Sequence, residues 1–316
     1  MQRFSRTALA VHSATAAAGA IALGTLLAVN PNTPDAWVAV PVVGAVAYVA
    51  LRMRRWIRRS LGPREPGGTV MAVLESLPYY RRLQTDEQAR FREQVCWFLA
   101  EHRISGVEVD VDDELRALIA SSAVTLTFGL PGYEWESVRE VLVYPSAFDL
   151  DLDVHEDGER VGEFSEQGPI IFSAPDLRES WEGEDGFNVG LHEFAHQLDY
   201  HGGGELDGVP THLGTAAITS QWGTFLRDHL RDPSRNRKLF QLLEDGAWED
   251  GAELFAHLTE IFFELPDTLE PVAPEAYRML CALYRQDPLA RIRLDERQPL
   301  LLDDTARDAV VASVSR

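Results

Sequence analysis

The sequence predicts an α+β protein: a mainly helical domain with a small β-sheet, preceded by an N-terminal helical hairpin that spans a membrane. Three observations carry that reading. Segments with apolar residues at helical spacing recur between residues 71 and 295. A few short runs rich in β-branched residues lie among them. Two apolar stretches at the N-terminus are bounded by arginines at their outer ends.

The hairpin comes first. Arg3 and Arg6 precede Ala8 to Val29, a stretch of 22 residues, which is long enough to cross a bilayer. The turn Asn30 to Asp35 ends it, and a second, shorter run from Ala36 to Leu51 contains Trp37 and Pro41. That run closes in R-M-R-R-W-I-R-R at residues 52–59, so positive charge stands at both outer ends and none in the turn. The pattern predicts spans at about 8–29 and 36–52, with both termini in the cytoplasm and the following domain facing the cytoplasm from its membrane. A cleaved signal peptide shares the basic start but not the stop-transfer cluster.

Charge divides the chain in the same place. Residues 1–64 hold eight arginines and one aspartate, a balance of +7, so the remainder of a chain at −21 carries −28. A surface that acidic repels nucleic acid and argues against direct DNA or RNA binding. Two distant cysteines, Cys96 and Cys281, form no disulfide framework and read as free thiols in a reducing compartment.

Leu61 to Gly68, with the linker extending to residue 70, is rich in glycine and proline. Thr85 to His102 reads as a helix with a capping box at Thr85 and Gln88 and with Phe91, Val95, Phe98 and Leu99 on one face. Asp112 to Ser121 is a second helix. Ala123 to Phe128, Glu140 to Tyr144, Val161 to Phe164 and Pro169 to Ser173 read as strands. The acidic loop Asp149 to Glu159 lacks the glycine and closing glutamate of a calcium-binding EF-hand loop and reads as a solvated charge run. Helices are expected near Ser220 to Leu230, Asp250 to Leu265 and Pro274 to Arg285, with a glycine-rich turn at His201 to Gly208 before them and a tail at 296–316.

The chemistry concentrates in Asn188 to Tyr200, N-V-G-L-H-E-F-A-H-Q-L-D-Y. On a helix His192 and His196 lie one turn apart on the same face, close enough to share one metal ion. Imidazole suits Zn²⁺, and Glu193 beside the first histidine is placed to take a proton from a water that the metal polarises. With nine histidines in the chain, chance would produce about 0.02 such motifs. Leu191, Phe194, Ala195 and Leu198 form an apolar stripe, while His192, His196 and Asp199 form a polar one. A solvated surface does not explain that pairing of stripes.

A catalytic zinc site needs a third protein ligand. The segment D-G-A-E-L-F-A-H-L-T-E-I-F-F-E-L, residues 250–265, carries Glu253, His257, Glu260 and Glu264 on one polar stripe. Glu264 reads as wet surface, and spacing leaves Glu253, His257 and Glu260 all eligible.

The region from about Glu75 to Arg293 resembles the Mlc titration factor A family of zinc peptidases, with an active site similar to that of lethal-factor-like proteases. The resemblance is carried by V-L-V-Y-P-S-A-F (141–148), Q-G-P-I-I-F (167–172), G-F-N-V-G-L-H-E-F-A-H-Q-L-D (186–199), D-G-V-P (207–210), A-E-L-F-A-H-L-T-E-I-F-F (252–263) and Y-R-Q-D-P-L-A-R (284–291). It implies metal ligands at His192, His196 and Glu253, a general base at Glu193, and at Asp199 a hydrogen bond to a ligand histidine. It also implies an edge strand at Gln167 to Phe172 for an extended peptide. One position departs: the family's oxyanion-binding tyrosine, seven residues before the third ligand, is Gly246 here. Tyr200, His201 and His212 are the nearby groups that could replace it, and glycine at 246 could itself hold a backbone angle that tyrosine resists.

The expectation is therefore a membrane-tethered, zincin-like metallopeptidase domain that binds Zn²⁺ and hydrolyses peptides. The alternative is a zinc-binding regulatory module with little catalysis that sequesters a protein such as a transcriptional repressor, the activity by which the family is named.

Overall fold

A helix buried along nearly all its length, Gly251–Glu264, organises the domain. Phe255, Leu258 and Phe262 on it are wholly removed from solvent, and at about 25 cal/mol per Å² of apolar surface such residues supply the main driving force for folding. The protein is seen here as a computed structural model that describes residues 65–138, 140–145, 169–200, 206–243 and 245–294. The expected membrane hairpin, the acidic loop, the strand at 161–164, His201 and the C-terminal tail lie outside the described residues. Among the described residues no helix is long and apolar enough to cross a membrane.

In chain order the helices are α1 (Gly68–Ser76), α2 (Pro78–Arg81), α3 (Thr85–Glu101), α4 (Asp113–Thr127), α5 (Ala174–Glu179), α6 (Val189–Tyr200), α7 (Ala216–Arg231), α8 (Arg237–Leu242), α9 (Gly251–Glu264), α10 (Pro266–Val272) and α11 (Pro274–Tyr284). Strands β1 (Arg103–Gly106), β2 (Glu140–Tyr144) and β3 (Ile170–Ser173) form one parallel sheet in the order β1-β2-β3. Val141 pairs with Ile104 on one side and Ile170 on the other. The mainly helical architecture with a small sheet is as expected, and α1 begins inside the segment expected as linker.

Two expectations are corrected. Ala123 to Phe128 is not a strand, since α4 continues to Thr127 and every residue from Ala117 to Thr127 is buried. A helix buried on all sides loses the 3.6-residue alternation that distinguishes it from a core strand. Its polar residues are accommodated locally, with the hydroxyls of Ser122 and Thr127 donating to the carbonyls of Leu118 and Ala123 at 3.0 and 2.9 Å. The capping box of α3 also lies one residue earlier than expected, where the Glu87 carboxylate accepts from the Gln84 N–H at 3.1 Å.

The packing positions α6. Its Phe194 ring meets Trp135, Phe98 and Phe172 at centroid distances of 5.0, 5.7 and 6.1 Å, so the apolar stripe rests on α3 and the sheet. On another side α6 crosses α4 at Gly190, where a Cβ would stand 2.2 Å from Ser122 Oγ. Only glycine permits that approach, and it presses the motif helix into the core with its histidine face turned toward α9.

Candidate metal centre

Asp250 caps α9, accepting from the backbone N–H groups of Ala252 and Glu253 at 2.8 and 3.0 Å. This fixes the first turn, from which Glu253 reaches α6. Glu253 Oε2 lies 3.3 Å from His192 Nε2, Glu253 Oε1 lies 3.3 Å from His196 Nε2, and the two Nε2 atoms are 3.1 Å apart. Three ligand atoms at the about 2.0–2.1 Å zinc takes to nitrogen and oxygen would stand roughly 3.3 Å apart at tetrahedral angles. The donor set fits a first-row divalent ion.

Glu260 orients the first histidine. Its side chain is fully buried, and its Oε1 accepts from His192 Nδ1 at 2.8 Å. With its proton on Nδ1, the His192 ring presents the Nε2 lone pair to the site. The other Glu260 oxygen accepts from the backbone N–H of Asn188, the residue preceding α6. Glu264 continues the same face: its oxygens accept from Asn188 Nδ2 at 2.8 Å and Gly186 N–H at 3.0 Å. Glu264 is thus not wet surface but buried, and burial pushes its carboxyl up to about 8 against the lowering effect of those bonds. The polar stripe of α9 faces the start of the motif helix.

The charges in this cluster call for a cation. Burial acts to lower the His192 imidazole, but hydrogen bonds with Glu253 and Glu260 outweigh it and raise the group to about 10. The imidazoles of His192 and His196 hold Glu253 well below the usual carboxylate range. Protons or a metal ion meet the same demand. Glu193 is partly exposed beside the cluster, and burial raises its carboxyl above the usual range despite the nearby histidines. A carboxyl shifted in that direction is suited to proton transfer near neutral pH.

A second trio, His192, His257 and Glu260, also brings ligand atoms together. It is the poorer site, because Glu260 is already engaged by His192 Nδ1 and Asn188 and is wholly shielded from water. Glu253 keeps 30% of its side-chain surface exposed, which leaves a direction of approach for water or substrate.

Asp199 corrects the expectation that it bonds a ligand histidine. Its Oδ2 accepts from the Gly208 N–H at 2.7 Å, while its buried Oδ1 carries no hydrogen bond. Burial raises its carboxyl to about 7. Its contribution is to the loop before α7: Gly208 adopts φ +80°, and a Cβ there would sit 1.9 Å from the Gly251 carbonyl oxygen. Asp199 therefore secures the chain that abuts the first turn of α9, the turn bearing Glu253. The bond to a candidate ligand histidine comes from Glu260 instead. A carboxylate on the stripe of α9 is the signal for it in the sequence, where spacing alone presents Glu260 as a rival ligand.

Gly246 lies in a 3₁₀ turn, Asp245–Trp248, just before α9. It is not among the glycines with positive φ, so it does not hold a left-handed backbone angle that tyrosine would resist. His212 lies against the Tyr133 ring at a centroid distance of 5.9 Å, and Tyr200 ends α6.

A helix bearing His-Glu-x-x-His, laid against a second helix whose first turn supplies a glutamate, defines a metallopeptidase-like protein. The chain belongs to the glucose-regulated metallo-peptidase M90 family, whose model matches residues 52–285. It is 32% identical over 263 residues to Mlc titration factor A of Yersinia enterocolitica, covering 78% of this chain and 96% of that protein. Mlc titration factor A of Escherichia fergusonii is 32% identical over 238 residues, 70% of this chain and 87% of its own. The protein of the same name from Enterobacter sp. strain 638 is 32% identical over 235 residues, or 69% and 86%. Membership implies a metal ion, and the His/Glu cluster is where these residues can hold one.

Proposed function

We propose that this protein is a zinc-dependent peptidase in which His192, His196 and Glu253 hold the ion and Glu193 is the general base. The observation that carries the reading is the convergence of two Nε2 atoms and a carboxylate at 3.1–3.3 Å. When bound, zinc supplies Lewis acidity, lowering a water's pKa toward 7 and polarising a peptide carbonyl. Glu193 takes the proton as the water oxygen adds to the carbonyl carbon and gives it to the leaving amine as the C–N bond breaks. Glu260 keeps the His192 ring in its tautomer throughout. A substrate peptide lies along β3, one of the two edge strands among the described residues, where Ile171 is 43% exposed.

The test is zinc-dependent hydrolysis. The chain loaded with zinc should cleave members of a peptide library, lose that activity to a chelator and regain it with about one equivalent of zinc. No cleavage by fully loaded protein would defeat the reading. A regulatory module that sequesters a protein partner is the second reading, favoured by glycine at 246 and by the titration-factor name of the relatives.

The apolar runs at 8–29 and 36–52 support tethering to the cytoplasmic membrane with the peptidase domain facing the cytoplasm. Full-length protein should then sediment with membranes, and a reporter fused to its C-terminus should be active only inside the cell. External activity of the reporter would refute that orientation.

A further inference from the structure

We propose that Asn188 is a positioning residue for the metal centre, fixing the motif helix α6 on α9 so that His192 and His196 meet Glu253. The role rests on the ligand set proposed above and belongs to a residue outside that set. Asn188 immediately precedes α6 and has no exposed surface. A buried polar group costs folding free energy unless it is hydrogen-bonded, and every polar group of Asn188 has a partner.

Its backbone closes a ring of hydrogen bonds around His192. The Asn188 carbonyl accepts from the His192 N–H at 2.9 Å. The Asn188 N–H donates to one oxygen of Glu260, and the other oxygen of Glu260 accepts from His192 Nδ1 at 2.8 Å. The first candidate ligand is thus held at its backbone by Asn188 and at its ring by a carboxylate that Asn188 also engages.

The side chain ties that ring of bonds to its surroundings. Oδ1 accepts from the Leu191 N–H at 3.0 Å and so caps α6. Nδ2 donates to the carbonyl of Ser180, just beyond α5, at 3.0 Å and to Glu264 Oε1, at the end of α9, at 2.8 Å. Capping alone does not call for asparagine, since serine and aspartate cap a helix as well. The amide brings two N–H donors besides, and both are directed at segments outside α6. Glu260 and Glu264 lie one turn apart on α9, so Asn188 grips that helix at two successive carboxylates. Glu253 stands two turns before Glu260 on the same helix. The start of α6 cannot slide along α9, and so cannot shift its histidines relative to Glu253, without breaking one of these bonds.

The experiment uses the full chain and three readouts: zinc affinity by competition with a chromophoric chelator, the visible spectrum of the cobalt-loaded protein, and the melting temperature of the metal-free protein. Losing an outer hydrogen-bond partner of a ligand costs about 10- to 100-fold in metal affinity. Asn188→Ser keeps a capping oxygen and the backbone bonds but removes both Nδ2 donors, so zinc affinity should fall about tenfold and the cobalt spectrum should change. Glu264→Leu removes the acceptor on α9 and should do the same. The double variant should lose no more than the more affected single variant, because both cut one link. A metal-free Asn188→Ser protein that melts lower yet binds zinc with wild-type affinity and an unchanged cobalt spectrum would show a capping role alone and overturn the inference. Additive losses in the double variant would overturn it too. If Asn188→Ser does not fold, Glu264→Leu decides, and wild-type zinc affinity there overturns the inference. Turnover is not among the readouts, so a chain that binds zinc but cleaves no peptide defeats the peptidase reading alone, whereas a wild type that binds neither metal defeats both.

Discussion

Glu253→Ala is expected to strip the protein of its metal while leaving the fold in place. The side chain is 30% exposed and lies at the end of a capped first turn, so its removal opens no core cavity. What it removes is the one carboxylate among the described residues that faces both Nε2 atoms, at 3.3 Å from each. Two imidazoles alone make an incomplete zinc site, and zinc affinity should fall by more than the about 10- to 100-fold typical of losing an outer hydrogen-bond partner. Glu260→Gln provides that comparison, because it weakens the hold on His192 Nδ1 without removing a candidate ligand. Metal analysis after dialysis against a weak chelator should rank the proteins wild type, Glu260→Gln, then Glu253→Ala. Full zinc content in Glu253→Ala would place the ion in the buried trio of His192, His257 and Glu260.

How readily these residues can be read from the sequence depends on whether each one's partner is local. His192, Glu193 and His196 declare themselves because the motif and its helical spacing lie within one turn, and Leu191, Phe194, Ala195 and Leu198 show which side of α6 is buried. Glu253 follows from its place in the first turn of a recognisable helix, with family resemblance needed to choose it over His257 and Glu260. The role of Glu260 is hidden, since its partner His192 lies 68 residues away. A polar stripe on a helix looks the same whether it meets water or another helix's N-terminus, which is why Glu264 reads as wet from spacing and is buried in the fold. Asp199 stands three residues after His196, a spacing that suits a bond to a ligand, but sequence does not reveal that the chain returns to bring the Gly208 N–H to its carboxylate. The strand expected at Ala123 to Phe128 fails for the opposite reason: uniform burial erases the periodicity on which the reading depends.

Glu193→Gln should separate a peptidase from a binding module more cleanly than any change to the ligands. The replacement preserves size and leaves His192, His196 and Glu253 untouched, so zinc content and thermal stability should remain near wild type. It removes the ability to accept a proton from the attacking water, and general acid–base catalysis contributes typically about 10²- to 10⁴-fold. Turnover should fall by that factor with KM little changed, because the lost interaction belongs to the transition state rather than to substrate binding. The electrostatics support the choice, since burial raises this carboxyl while the imidazoles of His192 and His196 oppose the rise, a balance suited to both taking and returning a proton. If the protein instead acts by sequestering a partner, Glu193→Gln should bind that partner as the wild type does. Paired measurements of zinc content, peptide turnover and partner binding therefore assign the function: loss of turnover alone identifies a peptidase mechanism at Glu193, and turnover unchanged by the substitution removes Glu193 from the role of base.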